Sequence, residues 1–220
     1  MHLYLDTADA AELARVLPCP LVHGVTTNPT LMRRAGLAWA GLPDYVRHAE
    51  ALGARAVQVQ VRHRDAADML VDARGYLSLG TRAEVVVKLP ATRDGFAAAA
   101  ALAAEGVSVT MTAVYEPEQV LWSALAGARY AAPYLGRLDD AGRDGRAVVA
   151  AMQQVADAYG RREGGNGLRL LVASVRSREA FRELLRLGVG AVTVPVPLFE
   201  ELTTHAPTLA AERAFLADAS

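Results

Sequence analysis

Short runs of apolar, mostly β-branched residues alternate along this chain with longer stretches whose apolar positions recur near helical spacing. The runs at 3–5, 22–25, 56–61, 84–89, 107–111, 128–131, 168–173 and 191–194 predict eight strands. Several are apolar at successive positions, as parallel strands covered on both faces should be. Between them, 8–17, 43–52, 65–79, 94–104, 117–126, 146–159 and 178–187 read as helices, and two more follow Pro197 and Pro207. Thr7 is placed to cap the first helix, and Gly53, Gly106, Gly127 and Gly188 stand where a helix C-terminus wants a glycine. Residues 161–167 read as the one loose connection. Eight β/α alternations within 220 residues predict an α/β chain. It would fold as a single (β/α)8 barrel domain over 1–220, with an extra C-terminal helix in a tail at 207–220. A doubly wound open sheet is the alternative, disfavoured because no glycine-rich phosphate loop follows the first strand.

Composition narrows the partners. Apolar residues make up 52% and charged residues 21%, with a formal net charge of −1 and arginines scattered throughout, so no clustered basic field for a nucleic acid is visible. No run of about 20 residues is uniformly apolar, which argues against a membrane span. The N-terminus has neither a basic leader region nor a cleavage site, and a lone cysteine, Cys19, excludes an intrachain disulfide. A cytoplasmic location is the resulting expectation.

One residue changes the picture. Of 23 lysines and arginines, Lys88 is the single lysine, and it ends the apolar run Val85-Val86-Val87-Lys88-Leu89-Pro90. Arginine replaces lysine as a charge, but it cannot supply a neutral amine for a Schiff base. The plain alternative is a chance survivor snorkelling from a strand end. Other polar residues share its position, however. In a barrel, chemistry belongs at the C-terminal ends of the strands. There stand Asp6-Thr7, Thr26-Thr27-Asn28-Pro29, Gln58 and Gln60, Thr110 and Thr112, Tyr134 and Arg137, and Ser174 with Arg176. Each has an ordinary explanation: Asn28 as a helix N-cap before Pro29, Gln60 as a satisfied core amide, Tyr134 as a loop anchor, Arg176 as a solvated helix start. Together they form a coherent set. Desolvation after three valines lowers a lysine pKa, so a neutral amine is available to attack a ketone. Asp6 and Tyr134 are candidates to move protons, and Ser174, Arg137 and Arg176 suit a phosphate dianion.

At these residues the chain resembles the small transaldolase and fructose-6-phosphate aldolase family over nearly its full length. The resemblance rests on Leu3-Tyr4-Leu5-Asp6-Thr7, Gly24-Val25-Thr26-Thr27-Asn28-Pro29, Val86-Val87-Lys88-Leu89-Pro90, Thr112-Ala113-Val114-Tyr115 and Ala132-Pro133-Tyr134-Leu135-Gly136-Arg137, in that order. It implies a (β/α)8 barrel and a Schiff-base lysine at Lys88, with no metal and no organic cofactor. Within the family, glutamine at Gln60, tyrosine at Tyr134 and alanine at Ala132 look like the aldolases, where transaldolases carry glutamate, phenylalanine and serine. Gly136-Arg137-Leu138-Asp139-Asp140 looks instead like the transaldolases, and Val175 stands where an aromatic residue is usual.

The resemblance therefore implies a class I aldolase that cleaves or forms fructose 6-phosphate from dihydroxyacetone and glyceraldehyde 3-phosphate. Lys88 would attack C2, and Tyr134 would act through a water held by Gln60 and Thr112. Asp6 would take the C4 hydroxyl proton, Thr26 and Asn28 would hold the dihydroxyacetone hydroxyls, and Arg137, Ser174 and Arg176 would hold the phosphate. The alternatives are a transaldolase moving the dihydroxyacetone unit between sugar phosphates, and a relative acting on a sulfonated or unphosphorylated ketose. A non-catalytic barrel that binds an anionic sugar is the remaining class. The expected partners are small ketose phosphates and aldehydes. The family also implies a homo-oligomer, a pentamer or decamer, with the tail at 207–220 either swapped onto a neighbouring subunit or packed on its own barrel.

Overall fold

The computed structural model describes residues 1–159 and 167–219. Eight parallel strands close on themselves in sequence order: β1 His2–Asp6, β2 Gly24–Thr26, β3 Ala56–Gln60, β4 Glu84–Pro90, β5 Val109–Val114, β6 Tyr130–Pro133, β7 Arg169–Val172 and β8 Ala191–Val194. The pairing of β8 with β1, with His2 opposite Ala191 and Leu5 opposite Val194, closes the barrel and excludes the open-sheet alternative. The helices in chain order are α1 Ala10–Val16, α2 Pro29–Arg34, α3 Leu42–Ala51, α4 Ala66–Leu77, α5 Arg93–Ala104, α6 Pro117–Leu125, α7 Leu135–Asp140, α8 Gly145–Tyr159, α9 Arg178–Leu187, α10 Val196–Thr203 and α11 Ala206–Asp218. α10 is the helix that follows β8, and α11 is the extra C-terminal helix. α11 has no buried residue, and Leu209, Phe215 and Leu216 are exposed on it. The connection expected at 161–167 lies, apart from Gly167, outside the described residues.

Some element boundaries differ from the sequence pattern for identifiable reasons. Val107 and Ala128 do not open β5 and β6. Each closes the preceding helix instead, with Val107 N–H donating to Leu102 O at 2.9 Å and Ala128 N–H to Ser123 O at 3.0 Å. That is the six-to-one bond of a helix end whose glycine, Gly106 or Gly127, has turned left-handed. Thr7 does not cap α1. Asp9 does, accepting from the N–H groups of Ala11 and Glu12, while the Thr7 hydroxyl accepts from Asp9 N–H and donates to Glu12. α2 and α7 are too short for a helical period to show in the sequence.

Inside the barrel, two tyrosines make a layer. Tyr4 and Tyr130 are fully buried, meet edge to face with centroids 6.1 Å apart, and share a hydroxyl contact of 3.1 Å. Small residues around them, Ala56, Ala132 and Ala191, leave room for the two rings. Side chains alternate along a strand, so the register that places Val86 in this layer places Lys88 on the same inward side, one layer nearer the C-terminal end.

At the N-terminal end, His2 stacks on His23 with centroids 3.9 Å apart. Burial, followed by His23 and the Arg169 and Arg129 guanidinium groups, lowers the His2 pKa to about 4, and burial with Arg55 and Arg129 lowers that of His23. Both imidazoles therefore stay neutral in the folded chain where the unfolded chain, with pKa values near ~6.5, already binds protons. Stability is expected to fall as pH drops from about 6.5 towards 4. Thermal midpoints across that range check this: a His2→Asn/His23→Phe variant should lose part of the slope, and an unchanged slope would assign acid sensitivity to other groups.

Candidate active site

The C-terminal ends of the strands surround a cavity of about 500 Å³. Ten of the eleven sequence-predicted residues line it: Asp6, Thr26, Asn28, Gln60 and Lys88 on one arc, and Ala132, Tyr134, Arg137, Ser174 and Arg176 on the other. Thr112, the eleventh, stands behind Tyr134 and touches it.

Lys88 is 5% exposed, and its Nζ donates to the Thr27 carbonyl at 2.9 Å. Burial holds its pKa below the ordinary lysine value, with the negative charge of Asp6 pulling the other way. Asp6 shows the mirror image. Burial raises its pKa, opposed by Lys88 and by the Thr26 hydroxyl, which donates to Oδ1 at 2.7 Å. Because that hydroxyl proton is used on Asp6, the Thr193 hydroxyl, 2.7 Å from Thr26, must be the donor in their contact. Asp6 thus ends a two-hydroxyl relay from β8 through β2. The chain just after it is fixed by Tyr45, whose hydroxyl donates to Thr7 O at 2.7 Å.

Tyr134 follows β6. Its hydroxyl lies 2.7 Å from Thr112 Oγ1, and burial raises its pKa, with hydrogen bonds from Thr112 and the Ala113 backbone opposing. Tyr115 meets its ring edge to face, and the Arg137 guanidinium lies 5.2 Å from its centroid. Ala113 takes a φ of 58°, and the register of β5 on β6 slips between Thr112 and Val114. This bulge turns the Ala113 backbone towards Tyr134. Ser174 also has φ 58°, so among the described residues two non-glycine residues adopt the left-handed region, both at the cavity. Strain of this kind persists where the surroundings over-determine the conformation.

Some ordinary explanations hold as well. Asn28 does cap α2, its Oδ1 accepting from Leu31 N–H at 3.0 Å, which leaves its side-chain N–H groups for the cavity. Gln60 reaches the cavity, whereas Gln58 is fully buried and accepts from Thr110 at 2.9 Å. Arg176 lines the mouth, but both its terminal nitrogens donate to Asp140, at 2.6 and 2.7 Å, so its charge is already met by a carboxylate. The bare Cα of Gly136 lets Arg176 lie there: a Cβ would fall 2.6 Å from Arg176 Nε and 2.7 Å from Ser174 O.

Thr193 and Arg34 are among the lining residues that the sequence pattern did not single out. Thr193 is the lone polar residue of β8, on the inward phase, a signal that was available. Arg34 reaches the mouth from α2 together with Thr30 and Leu31, and could be found only once that short helix was seen.

A family described as Transaldolase/Fructose-6-phosphate aldolase matches residues 3–219. A protein of Anaeromyxobacter sp. (strain K) named "Probable transaldolase" is 37% identical over 99% of this chain and 96% of its own length. One of the same name from Methanococcus maripaludis is 34% identical over 99% and 97%. A solved structure of a mandelate oxidase variant superposes with a TM-score of 0.59 over 89% of this chain and 65% of that one; at 18% identity, it shares the fold alone.

Proposed function

The chain belongs to the transaldolase/fructose-6-phosphate aldolase family, and on that premise we propose that it splits a ketose phosphate through a Schiff base on Lys88 and passes the three-carbon unit to an aldehyde acceptor. The observation that carries the proposal is the buried amine of Lys88, lowered in pKa and paired electrostatically with Asp6 in a polar cavity.

In this reading, neutral Lys88 Nζ attacks C2 of fructose 6-phosphate, and loss of the C2 oxygen as water leaves an iminium. Asp6, made more basic by burial, accepts the C4 hydroxyl proton. The C3–C4 electron pair moves into the iminium, glyceraldehyde 3-phosphate leaves, and an enamine of dihydroxyacetone remains. Its carbon attacks the acceptor carbonyl, Asp6 returns the proton to the new hydroxyl, and water frees the product from Lys88. Thr26 and the N–H groups of Asn28 suit the dihydroxyacetone hydroxyls. Arg137 and Ser174 suit the phosphate, with Arg176 held beside them by Asp140. A sulfonate would meet the same groups.

The relatives' names support transfer. The contact of Tyr134 with Thr112 supports a second ending, the one the sequence favours. Tyr134 protonates the enamine carbon, neutral Gln60 helps to hold the water, and dihydroxyacetone is released without an acceptor. Changing Tyr134→Phe together with Gln60→Glu is expected to slow acceptor-free release by about 10²-fold, the lower range for a lost proton donor, with transfer much less affected. Product analysis with and without a four-carbon aldose phosphate reads the ratio, and an unchanged ratio would remove Tyr134 from the release step.

The test of the proposal is borohydride reduction in the presence of fructose 6-phosphate, followed by intact-mass measurement. One reduced adduct per chain is expected, placed on Lys88 by peptide mapping that separates it from the N-terminal amine. An unmodified chain across a panel of phosphorylated, sulfonated and free ketoses would overturn it.

A further inference from the structure

The end of the barrel opposite the candidate active site carries a second polar cluster, which the proposed chemistry leaves unused. The strands enter there with His2 and His23 stacked; Arg55, at the entry of β3, donates its backbone N–H to His23 O, while Arg129 and Arg169 stand on the adjacent entries of β6 and β7, joined by a backbone hydrogen bond of their own. One carboxylate answers them. Both carboxylate oxygens of Glu84 accept from Arg129 Nη1, at 2.5 and 2.6 Å, and Ser108 donates to Oε1 as well. Among the described residues, Arg55 forms no ion pair and Arg169 has only the ring nitrogen of His2, 3.4 Å from its Nη1. Arg129 Nε is buried without a hydrogen-bond partner. The nearby Arg82 is held by Glu50 and adds no free charge.

The shape of the rim is built around these side chains. A Cβ on Gly190 would lie 2.7 Å from Arg169 Cβ and 2.8 Å from its Cγ, so the arginine stem lies across the bare Cα at the entry to β8. His2 is anchored from below by Tyr130, whose hydroxyl is 2.8 Å from Nδ1. A half-buried arginine such as Arg169 that serves only to plug the barrel would be expected to meet a carboxylate, because unpaired charge there costs stability; Arg55 is exposed and carries no such cost. Here two guanidinium groups remain over, beside two imidazoles that burial first, and arginine charge second, keep neutral. Planar guanidinium forks match oxyanion geometry, and a bound anion would also let an imidazole take a proton and become a further donor.

We infer that the N-terminal end of the barrel is a binding site for a compact phosphate-type oxyanion, held by Arg55 and Arg169 over the His2–His23 pair. The inference stands apart from the proposed catalysis, which uses the other end of the barrel.

Imidazole NMR of the histidine-labelled full chain tests it, because the reporters sit in the site. His2 and His23 would be titrated with inorganic phosphate at constant ionic strength, with His48, His63 and His205 as internal controls. The groups that face the pair and must be carried in the fit are Arg55, Arg129, Arg169, Glu84, Tyr4, Tyr130 and the N-terminal amine. Phosphate is expected to shift both resonances saturably and to raise the His2 titration midpoint by about one pH unit or more, as a neighbouring negative charge does. The controls should stay still. Arg55→Gln/Arg169→Gln should weaken the response at least about tenfold, the loss of roughly one charge-assisted contact. Arg55→Gln alone, at an exposed position, should weaken it without risk to the fold. Glycerol 3-phosphate in a parallel titration separates the sources. An equal response assigns the site to a phosphomonoester end, and a response to inorganic phosphate alone assigns it to the free ion. No saturable shift up to about 10 mM phosphate, an affinity too weak for a built site, would overturn the inference. So would an undiminished shift in the double variant.

Discussion

Lys88→Arg is expected to lower turnover by at least about 10⁴-fold and to abolish borohydride trapping while the chain still folds. The variant keeps a positive charge beside Asp6, so the electrostatic environment of the carboxylate survives. What it loses is the capacity to become a neutral amine. A guanidinium with a pKa above about 12 stays charged even when buried, and it does not condense with a ketone to an iminium. Every covalent step of the proposed cycle passes through that bond, so partial activity has no route. Lys88 is 5% exposed, and the larger head group costs packing. Lys88→Met is therefore the companion variant: nearly the same volume, uncharged and equally unable to form the adduct. Near-native thermal midpoints with no turnover in both would place the defect in chemistry. Turnover within about tenfold of wild type in either would show that the bond to Lys88 is dispensable, and the assignment would fail.

Gly24→Ala should strongly destabilise the barrel. A Cβ on Gly24 would fall 2.0 Å from the carbonyl oxygen of Ala56 and 2.9 Å from its carbonyl carbon. Both are backbone atoms of the strand with which β2 pairs in register. No rotamer change relieves a clash with backbone, so β2 and β3 must separate or one must twist. A cost above about 3 kcal/mol is expected, the range for forced overpacking with broken pairing. For a chain of this length that corresponds to a midpoint lowered by roughly 6–12 °C, or to loss of soluble protein. Thr26 lies two residues along the same strand, so its hydrogen bond to Asp6 should suffer with it, lowering activity in whatever chain remains folded. Gly75→Ala is the matched control. It sits within α4, where a Cβ meets open space, and should be neutral or stabilising by up to about 1 kcal/mol. If both variants melt alike, the close approach of β2 and β3 does not constrain the barrel.

The strand β8 was drawn to its residue, because Ala191-Val192-Thr193-Val194 is bounded by glycine and proline and lies wholly in the sheet. β5 and β6 were begun two residues early, because an apolar residue after a glycine looks the same whether it opens a strand or closes a helix. Asn28-Pro29 carried the signature of a helix start, yet α2 spans six residues and no period can be read from so few. Arg34 was missed for that reason.

The chain by itself determined the alternation that closes the barrel and the concentration of polar residues at the strand ends. Both depend on spacing along the backbone, and period and register are properties of sequence. It also singled out Lys88, since the absence of every other lysine is visible without coordinates. Only the tertiary structure decided which of the reactive groups are spent on one another. Arg176 and Arg137 look alike in the sequence, but Asp140 neutralises the first while the second lies over the Tyr134 ring. Thr26, Asp6 and Thr193 become a single relay because β8 returns to pair with β1. The imbalance of charge at the far rim likewise arises only when seven strand entries meet. Hydrogen bonds and Coulomb interactions act over a few ångströms in space, and residues 167 positions apart become neighbours only when the barrel closes.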